Sequence, residues 1–175
     1  MNIVYIAVSL DGYIAGPDGD IKWLNTIPNE NNSDHGFGEF IDSIDGIVMG
    51  RKTYEKVLEF NEWPYDKPVY VLTNTLDILS VELKNKAKIV SGKLKDILKD
   101  LNSRGLENLY IDGGVTIQSF LKEDLIDEMI ISYVSLILGE GIPLFGEIKN
   151  QLNFKCEKIE YISPYLVKHW YKRVR

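Results

Sequence analysis

The chain has 175 residues, 45% of them apolar and 26% charged, with a formal net charge of −6. That length suits one domain with a core of ordinary size, and the acidic balance argues against a nucleic-acid binder, which favours a basic stripe. No apolar run is long enough to span a bilayer, the opening IVYIAV lacks the basic flank of a secretion signal, and the single cysteine, Cys156, fits a reducing cytoplasm.

NIVYIAVS predicts an apolar strand at the start. LDGYIAGPDGDIKWL, rich in Gly, Pro and Asp, reads as a long loop, which NTIPNENNSDH extends up to a short amphipathic helix, GFGEFIDSI. GIVMG predicts a strand ending at Gly50, and RKTYEKVLEF a helix with Tyr54, Val57 and Leu58 at helical spacing. KPVYVLTNT is the next strand, followed by a polar connection and the short strand AKIVSG. KLKDILKDLNSRG is a helix with Leu94, Ile97, Leu98 and Leu101 on one face and Gly105 closing it. LENLYIDGG and VTIQSFLKE repeat the strand–helix pattern. From Asp127 onward the pattern changes to strands alone: DEMIISYVSLILG, NFKCEKIEYIS and YLVKHWYKRV. In the last of these the alternation predicts solvated Lys168 and Lys172 on a final strand. LGEGIPLFGE reads as a bend shaped by Gly139, Gly141 and Pro143.

Strands alternating with helices predict right-handed crossovers, a mainly parallel sheet with helices on both faces, and an antiparallel C-terminal edge. Ligands of such α/β sheets bind at the carboxyl ends of the strands. Two junctions there carry glycine. In DGIVMGRKTYE, Gly46 and Gly50 are three residues apart and Arg51 precedes Lys52, so a triphosphate loop fails on register. What remains is a helix start carrying Arg51, Lys52 and Thr53. It suits either a bound phosphate or two solvated cations. In YIDGGVTIQSFL, Gly113 and Gly114 form the second junction, which suits a tight turn or a close backbone approach to a ligand. Two such junctions on one edge could bracket a pyrophosphate. Metal chemistry is poorly supplied, since no ligand spacing links His35, His169 and Cys156.

The set Ala7, Asp11, Ile14, Trp23, Met49-Gly50-Arg51-Lys52-Thr53 and Ile111-Asp112-Gly113-Gly114 leading to Phe120-Leu121 resembles, in order and spacing, the dihydrofolate reductase fold. More closely it resembles the reductase domain of the riboflavin-biosynthesis deaminase–reductase and its free-standing bacterial relatives, of which SLDGYIAG and FLKEDLIDE…LGEGIPLF are typical. The resemblance covers essentially the whole chain as one domain and implies a three-layer α/β fold with NADPH along the strand ends. Ala7, Ile14 and Ala15 would meet the nicotinamide. Gly50, Arg51, Lys52 and Thr53 would hold phosphates; Leu72, Thr73 and Asn74 would meet the adenosine part; Gly113, Gly114, Val115 and Thr116 would hold the pyrophosphate. Relatives often carry Arg at Asn74, so Ser91 and Lys93 are left to share recognition of the 2′-phosphate.

The reaction implied is hydride transfer to a small pteridine or aminopyrimidine, of the 5-amino-6-(5-phosphoribosylamino)uracil reductase type. A true dihydrofolate reductase and a non-catalytic dinucleotide-binding protein are the alternatives. The first needs a carboxylate on the helix after the first loop, where Asp34 or Glu39 stands; capping that helix is a sufficient occupation for Asp34 and the favoured one. Asp11, with Ser9 and Gly12, is a second acid candidate or an ordinary turn. Phe37 and Phe40 would line an aromatic wall or pack in the core. Residues 11–35 are expected to act as a lid over the substrate, with Trp23 as its apolar anchor. A homodimer is expected, with the late elements near its contact.

Overall fold

The computed structural model describes residues 1–29, 32–75 and 86–175, so most of the polar connection expected after Thr75 falls outside it. In chain order the elements are β1 (Asn2–Ser9), β2 (Tyr13–Ala15), a 3-10 turn (Lys22–Thr26), α1 (Phe37–Asp42), β3 (Gly46–Gly50), α2 (Arg51–Val57), β4 (Val69–Leu72) and β5 (Ala87–Val90). They continue with α3 (Leu94–Ser103), β6 (Leu109–Asp112), α4 (Gly114–Lys122), β7 (Glu128–Val134), β8 (Ile142–Pro143), β9 (Asn153–Ser163) and β10 (Leu166–Val174). Eight strands form one sheet in the order β5-β4-β3-β6-β1-β7-β10-β9, parallel from β5 to β7 and antiparallel beyond.

Near-continuous apolar runs make the central strands, because both of their faces are covered: four of the five residues of β3 are buried. Leu94, Ile97, Leu98 and Leu101 bring α3 onto one face, beside Ile117 and Phe120 of α4. Phe40 and Ile41 of α1 and Tyr54 and Val57 of α2 cover the other. Leu101 and Phe120 have no exposed surface, and each such burial is worth about 1.5–3 kcal/mol.

The chain runs from β3 outward to β4 and β5, then returns through α3 to insert β6 between β3 and β1. It then passes through α4 to β7 on the far side of β1. Connections therefore leave β3 and β6 in opposite directions, which opens a crevice at their carboxyl ends.

Three sequence expectations need correction. The long loop expected over residues 10–35 is interrupted, because β2 pairs with β8 in a small antiparallel ribbon. A three-residue strand is too short to show a period. Helix α2 ends at Val57, three residues early. There the N–H groups of Glu59 and Phe60 tighten onto the oxygens of Lys56 and Val57, three residues back, ahead of Pro64.

The third correction concerns Lys168, which is only 3% exposed. Its Cα partner is Ser132, whose partner in turn is Ala7. It thus lies on the sheet face that α1 and residues 33–36 cover, whereas Lys172, paired with Glu128 at 3.5 Å, is solvated as expected.

Candidate cofactor and substrate site

The carboxyl ends of β3 and β6 adjoin, with Met49 opposite Asp112. Helices α2 and α4 start there, on opposite faces of the sheet, with Gly50 and Gly113 as their N-cap residues and no side-chain cap on either. The two starts interlock. A Cβ on Gly50 would lie 2.7 Å from Thr116 Oγ1, and one on Gly113 would collide with Thr53 Oγ1. Gly113 also sits at φ +91°, where glycine is favoured. First-turn N–H groups have no intrahelical acceptor, so these abutting starts offer donors to an anion. Lys52 is exposed beside them and has no ion-pair partner among the described residues, while Val115 is exposed on the first turn of α4.

The ribbon of β2 and β8 packs onto the same junction. A Cβ on Gly114 would meet Ile14 Cδ1 at 2.9 Å and Ile142 Cγ2 at 3.0 Å. Ala15 is buried, and its carbonyl leaves room only for glycine at Gly141. Ile14, Ala15, Gly50–Thr53 and Gly113–Thr116 are thus brought to one place, with Ala7 at the end of the neighbouring β1.

Leu72, Thr73, Asn74 and Ser91 lie farther along the same edge: Leu72 pairs with Gly50 and Val90, and Thr73 N–H donates to Val90 O at 3.1 Å. Arg51 reaches toward them. Its Nη1 donates to Thr75 Oγ1 at 3.0 Å, and its Nε meets Glu55 at 2.9 Å.

The three acid candidates sit elsewhere, and all are exposed. Asp11 Oδ1 accepts from the Ser9 hydroxyl at 2.6 Å and from Leu138 N–H at 3.1 Å, and Oδ2 accepts from Gly139 N–H at 2.7 Å. The Ser9 hydroxyl, then these amides, hold its carboxyl below the usual carboxylate range. Ser9 itself is buried and accepts from Tyr13 N–H, so both residues fasten the β1–β2 turn to residues 138–139. Asp34 accepts from Gly38 N–H at 2.8 Å and Gly36 N–H at 2.9 Å, bonds that lower its pKa and cap the start of α1. Glu39 lies on the rim of a cavity described next.

That cavity, of about 490 Å3, lies on the α1 face and is lined by Tyr5, His35, Phe40, Lys168 and Trp170 among others. Tyr5 and Phe40 stack at 4.7 Å, and Phe37 leans on Tyr5 at 5.5 Å as part of this aromatic wall. Trp23 packs on the same sheet face with Val134 and Leu166, against Ala7. A second cavity of about 620 Å3, lined by Trp63, Tyr65 and Pro68, opens at the amino ends of β4 and β5, the wrong edge for a sheet ligand.

Two groups escaped the sequence reading. Lys168 is one. Asp112 is the other: burial pushes its carboxyl up to about 6, against the lowering effects of the neighbouring Tyr110 hydroxyl and Gly113 N–H. Its only signal was its place beside Gly113 at a strand end.

The chain matches the RibD C-terminal domain family over residues 2–168. A crystal structure from Shewanella sp. PV-4, of a protein provisionally assigned to riboflavin biosynthesis, is 51% identical. The two chains cover 99% of each other, at a TM-score of 0.96. The uncharacterized Bacillus subtilis protein YwjB is 35% identical across 96% of this chain and 95% of its own. The diaminohydroxyphosphoribosylaminopyrimidine deaminase/5-amino-6-(5-phosphoribosylamino)uracil reductase of Thermotoga maritima shares the fold at 18% identity. That match covers 99% of this chain and 56% of that one, with a TM-score of 0.74. The architecture is accordingly the dihydrofolate reductase-like α/β fold.

Proposed function

The chain belongs to the RibD C-terminal domain family, and on that premise we propose that it is an NADPH-dependent reductase acting on a small pteridine or aminopyrimidine of the 5-amino-6-(5-phosphoribosylamino)uracil type. Its family is reductase-related, and reductases of this fold use NADPH. The observation that carries the reading is the pair of abutting, uncapped helix starts at the crevice between β3 and β6. Their free N–H groups, with Lys52 beside them, suit the phosphates of a dinucleotide. Ala7, Ile14 and Ala15 offer an apolar seat for the nicotinamide. Leu72, Thr73 and Asn74, with Ser91, are the adenosine end of the proposal.

When bound, NADPH supplies the hydride. Reduction of a C=N or C=O group also needs a proton on the nitrogen or oxygen, and Asp112, at the carboxyl end of β6 opposite Met49 in the same crevice, is proposed to provide it. A carboxyl titrating at about 6 is matched to proton transfer near neutral pH. Buried Trp23 closes the outer side of β1 and helps exclude water. A true dihydrofolate reductase would need Asp34 or Glu39 buried against the substrate ring, and both are exposed. A homodimer belongs to the proposal. The edge strand β9 leaves Ile159 and Tyr161 uncovered, and light scattering that returned a monomer would reject this part.

Thermal denaturation with NADPH, NADH and ATP is the test. At a hundred times its Kd a ligand adds about 2.7 kcal/mol, roughly 5–10 °C for a chain of this size. A shift with NADPH and little with ATP supports the reading; no shift with either dinucleotide rejects it. NADPH binding without consumption of NADPH on any pyrimidine or pteridine would select the non-catalytic alternative.

A further inference from the structure

Lys168 is the charged residue buried most deeply among those described, and neither the proposed cofactor seat nor the proposed proton path uses it. Its amine donates to the Tyr5 hydroxyl at 2.7 Å and to the His35 carbonyl, while Tyr5 donates to the same carbonyl at 2.9 Å. Both acceptors are neutral. The charged and titratable groups around it are Asp34 and His35 ahead of α1, Glu39 on α1, and Lys158 and Glu160 on β9. Asp34 is occupied by the Gly36 and Gly38 amides, and Glu160 by Lys158 at 2.7 Å. Glu39 lines the same 490 Å3 cavity as Lys168, and among the described residues no carboxylate forms an ion pair with this lysine. Burial therefore outweighs the attraction of Glu160 and Asp34 and, helped by the like charge of Lys158, holds the amine below the usual lysine range. Tyr5, Phe40 and Trp170 give the cavity flat aromatic walls, with the Trp170 ring 5.7 Å from the amine.

We propose that Lys168 is a carbonyl-reactive site: its amine, set in the aromatic cavity beside the Tyr5 hydroxyl, condenses with a small planar aldehyde to form an imine. The inference goes beyond the reductase reading and needs no bound dinucleotide. A buried lysine that no carboxylate holds charged offers more neutral amine near pH 7 than a surface lysine, and the neutral amine is the nucleophile. Its lone pair forms the C–N bond while the carbonyl π pair moves onto oxygen. The Tyr5 hydroxyl, whose pKa burial pushes up to about 12, stays protonated, gives that oxygen a proton and regains one from the new nitrogen. The hydroxyl group then leaves with the second amine proton as water, which completes the imine without any oxidant or reductant. Flat walls favour an aromatic aldehyde over an aliphatic one, and they shield the imine from returning water.

Reductive trapping tests this on the wild-type chain. Benzaldehyde is added with sodium cyanoborohydride, which delivers hydride to the iminium carbon and fixes each adduct as a benzylamine, and peptide mass spectrometry reads the extent at every lysine. The expected result at pH 7 is labelling of Lys168 roughly tenfold or more faster than of Lys172, the exposed lysine on the same strand, or of Lys158, which Glu160 keeps charged. That advantage should shrink between pH 7 and pH 10, as the surface amines lose their protons, and vanish in urea. Tyr5→Phe should slow labelling of Lys168 severalfold and leave Lys172 unchanged; equal labelling in the folded variant overturns the part given to Tyr5. A lysine that merely pins the His35 carbonyl stays charged and is labelled no faster than Lys172. That outcome, preference for Lys158, or an advantage that persists in urea overturns the inference. None of these readouts involves NADPH, so their failure and that of the reductase reading are distinguishable.

Discussion

Thr53 and Gly113 fit together as lock and keyhole: the threonine side chain at the start of α2 occupies the space that any Cβ at the start of α4 would need. Gly50 and Thr116 repeat the relationship in the opposite sense. Gly113→Ala adds a steric clash to a backbone at φ +91°, and together these are expected to cost about 1–3 kcal/mol. Gly50 has an ordinary extended backbone, so Gly50→Ala carries the clash alone and should be the milder change. Paired denaturation curves check the order. Thr53→Ala in the Gly113→Ala background should recover part of the loss, the part due to the clash.

Asp112 gives the stability profile a direction. In the folded chain its carboxyl keeps its proton up to about pH 6, whereas an unperturbed one releases it near 3.8. Across that window the folded state binds more protons than the unfolded state, so this group's contribution falls as pH rises from about 4 to about 6. Asp112→Asn should flatten that segment of a plot of Tm against pH. If the proposed proton donor is correct, the same variant loses about a hundredfold in kcat while its NADPH affinity stays near wild type.

Arg51 tests the phosphate seat. Its guanidinium already bridges Glu55 and Thr75, which aims it along the edge toward Thr73 and Asn74. Arg51→Ala is expected to weaken NADPH binding by about 1.5–3 kcal/mol, the worth of a charge-assisted hydrogen bond. Titration calorimetry reads this directly, and an unchanged Kd removes Arg51 from the seat. Its partner Glu55 is exposed, so Glu55→Gln should leave folding stability nearly unaltered.

Trp23 is 9% exposed and packs on Val134 and Leu166. Trp23→Gly should cost about 3–5 kcal/mol of stability as a large-to-small core change. At a temperature where the variant remains folded, turnover is expected to slow more than NADPH binding weakens. Equal loss in both would count against the water-excluding function assigned to it.

Much of the sheet was legible because its central strands are buried on both faces and therefore read as unbroken apolar runs, and because α3 repeats its apolar face without a gap. The two glycine junctions were legible for a related reason: each apolar run stops at glycine directly before a helix start, so the sheet edge itself is written in the chain. Lys168 was misread because alternation reports only which residues share a face. What covers that face is decided by α1 and residues 33–36, more than a hundred positions away in the chain. Ribbon β2–β8 escaped notice because three-residue and two-residue strands carry no period. Asp112 looked like part of a turn signal, and its perturbed acidity comes from packing that only the folded chain supplies. The Asp11 and Asp34 carboxylates looked available as acids for the opposite reason, since their backbone partners appear only when the turns close.

The clasp between the first turn and the late bend bears on the order of assembly. Asp11 and Leu138 are 127 positions apart, and Leu144 N–H donates to Gly12 O across a similar interval. Contacts of such separation carry a large loop-closure penalty and tend to form late. During synthesis the β3–β6 junction is complete before residue 138 has been made, so one side of the crevice can be shaped while β1 still lacks its fastening. Competence to hold a ligand therefore trails compaction, and a ligand seated between the two helix starts would stabilise only chains whose β2–β8 ribbon has already closed.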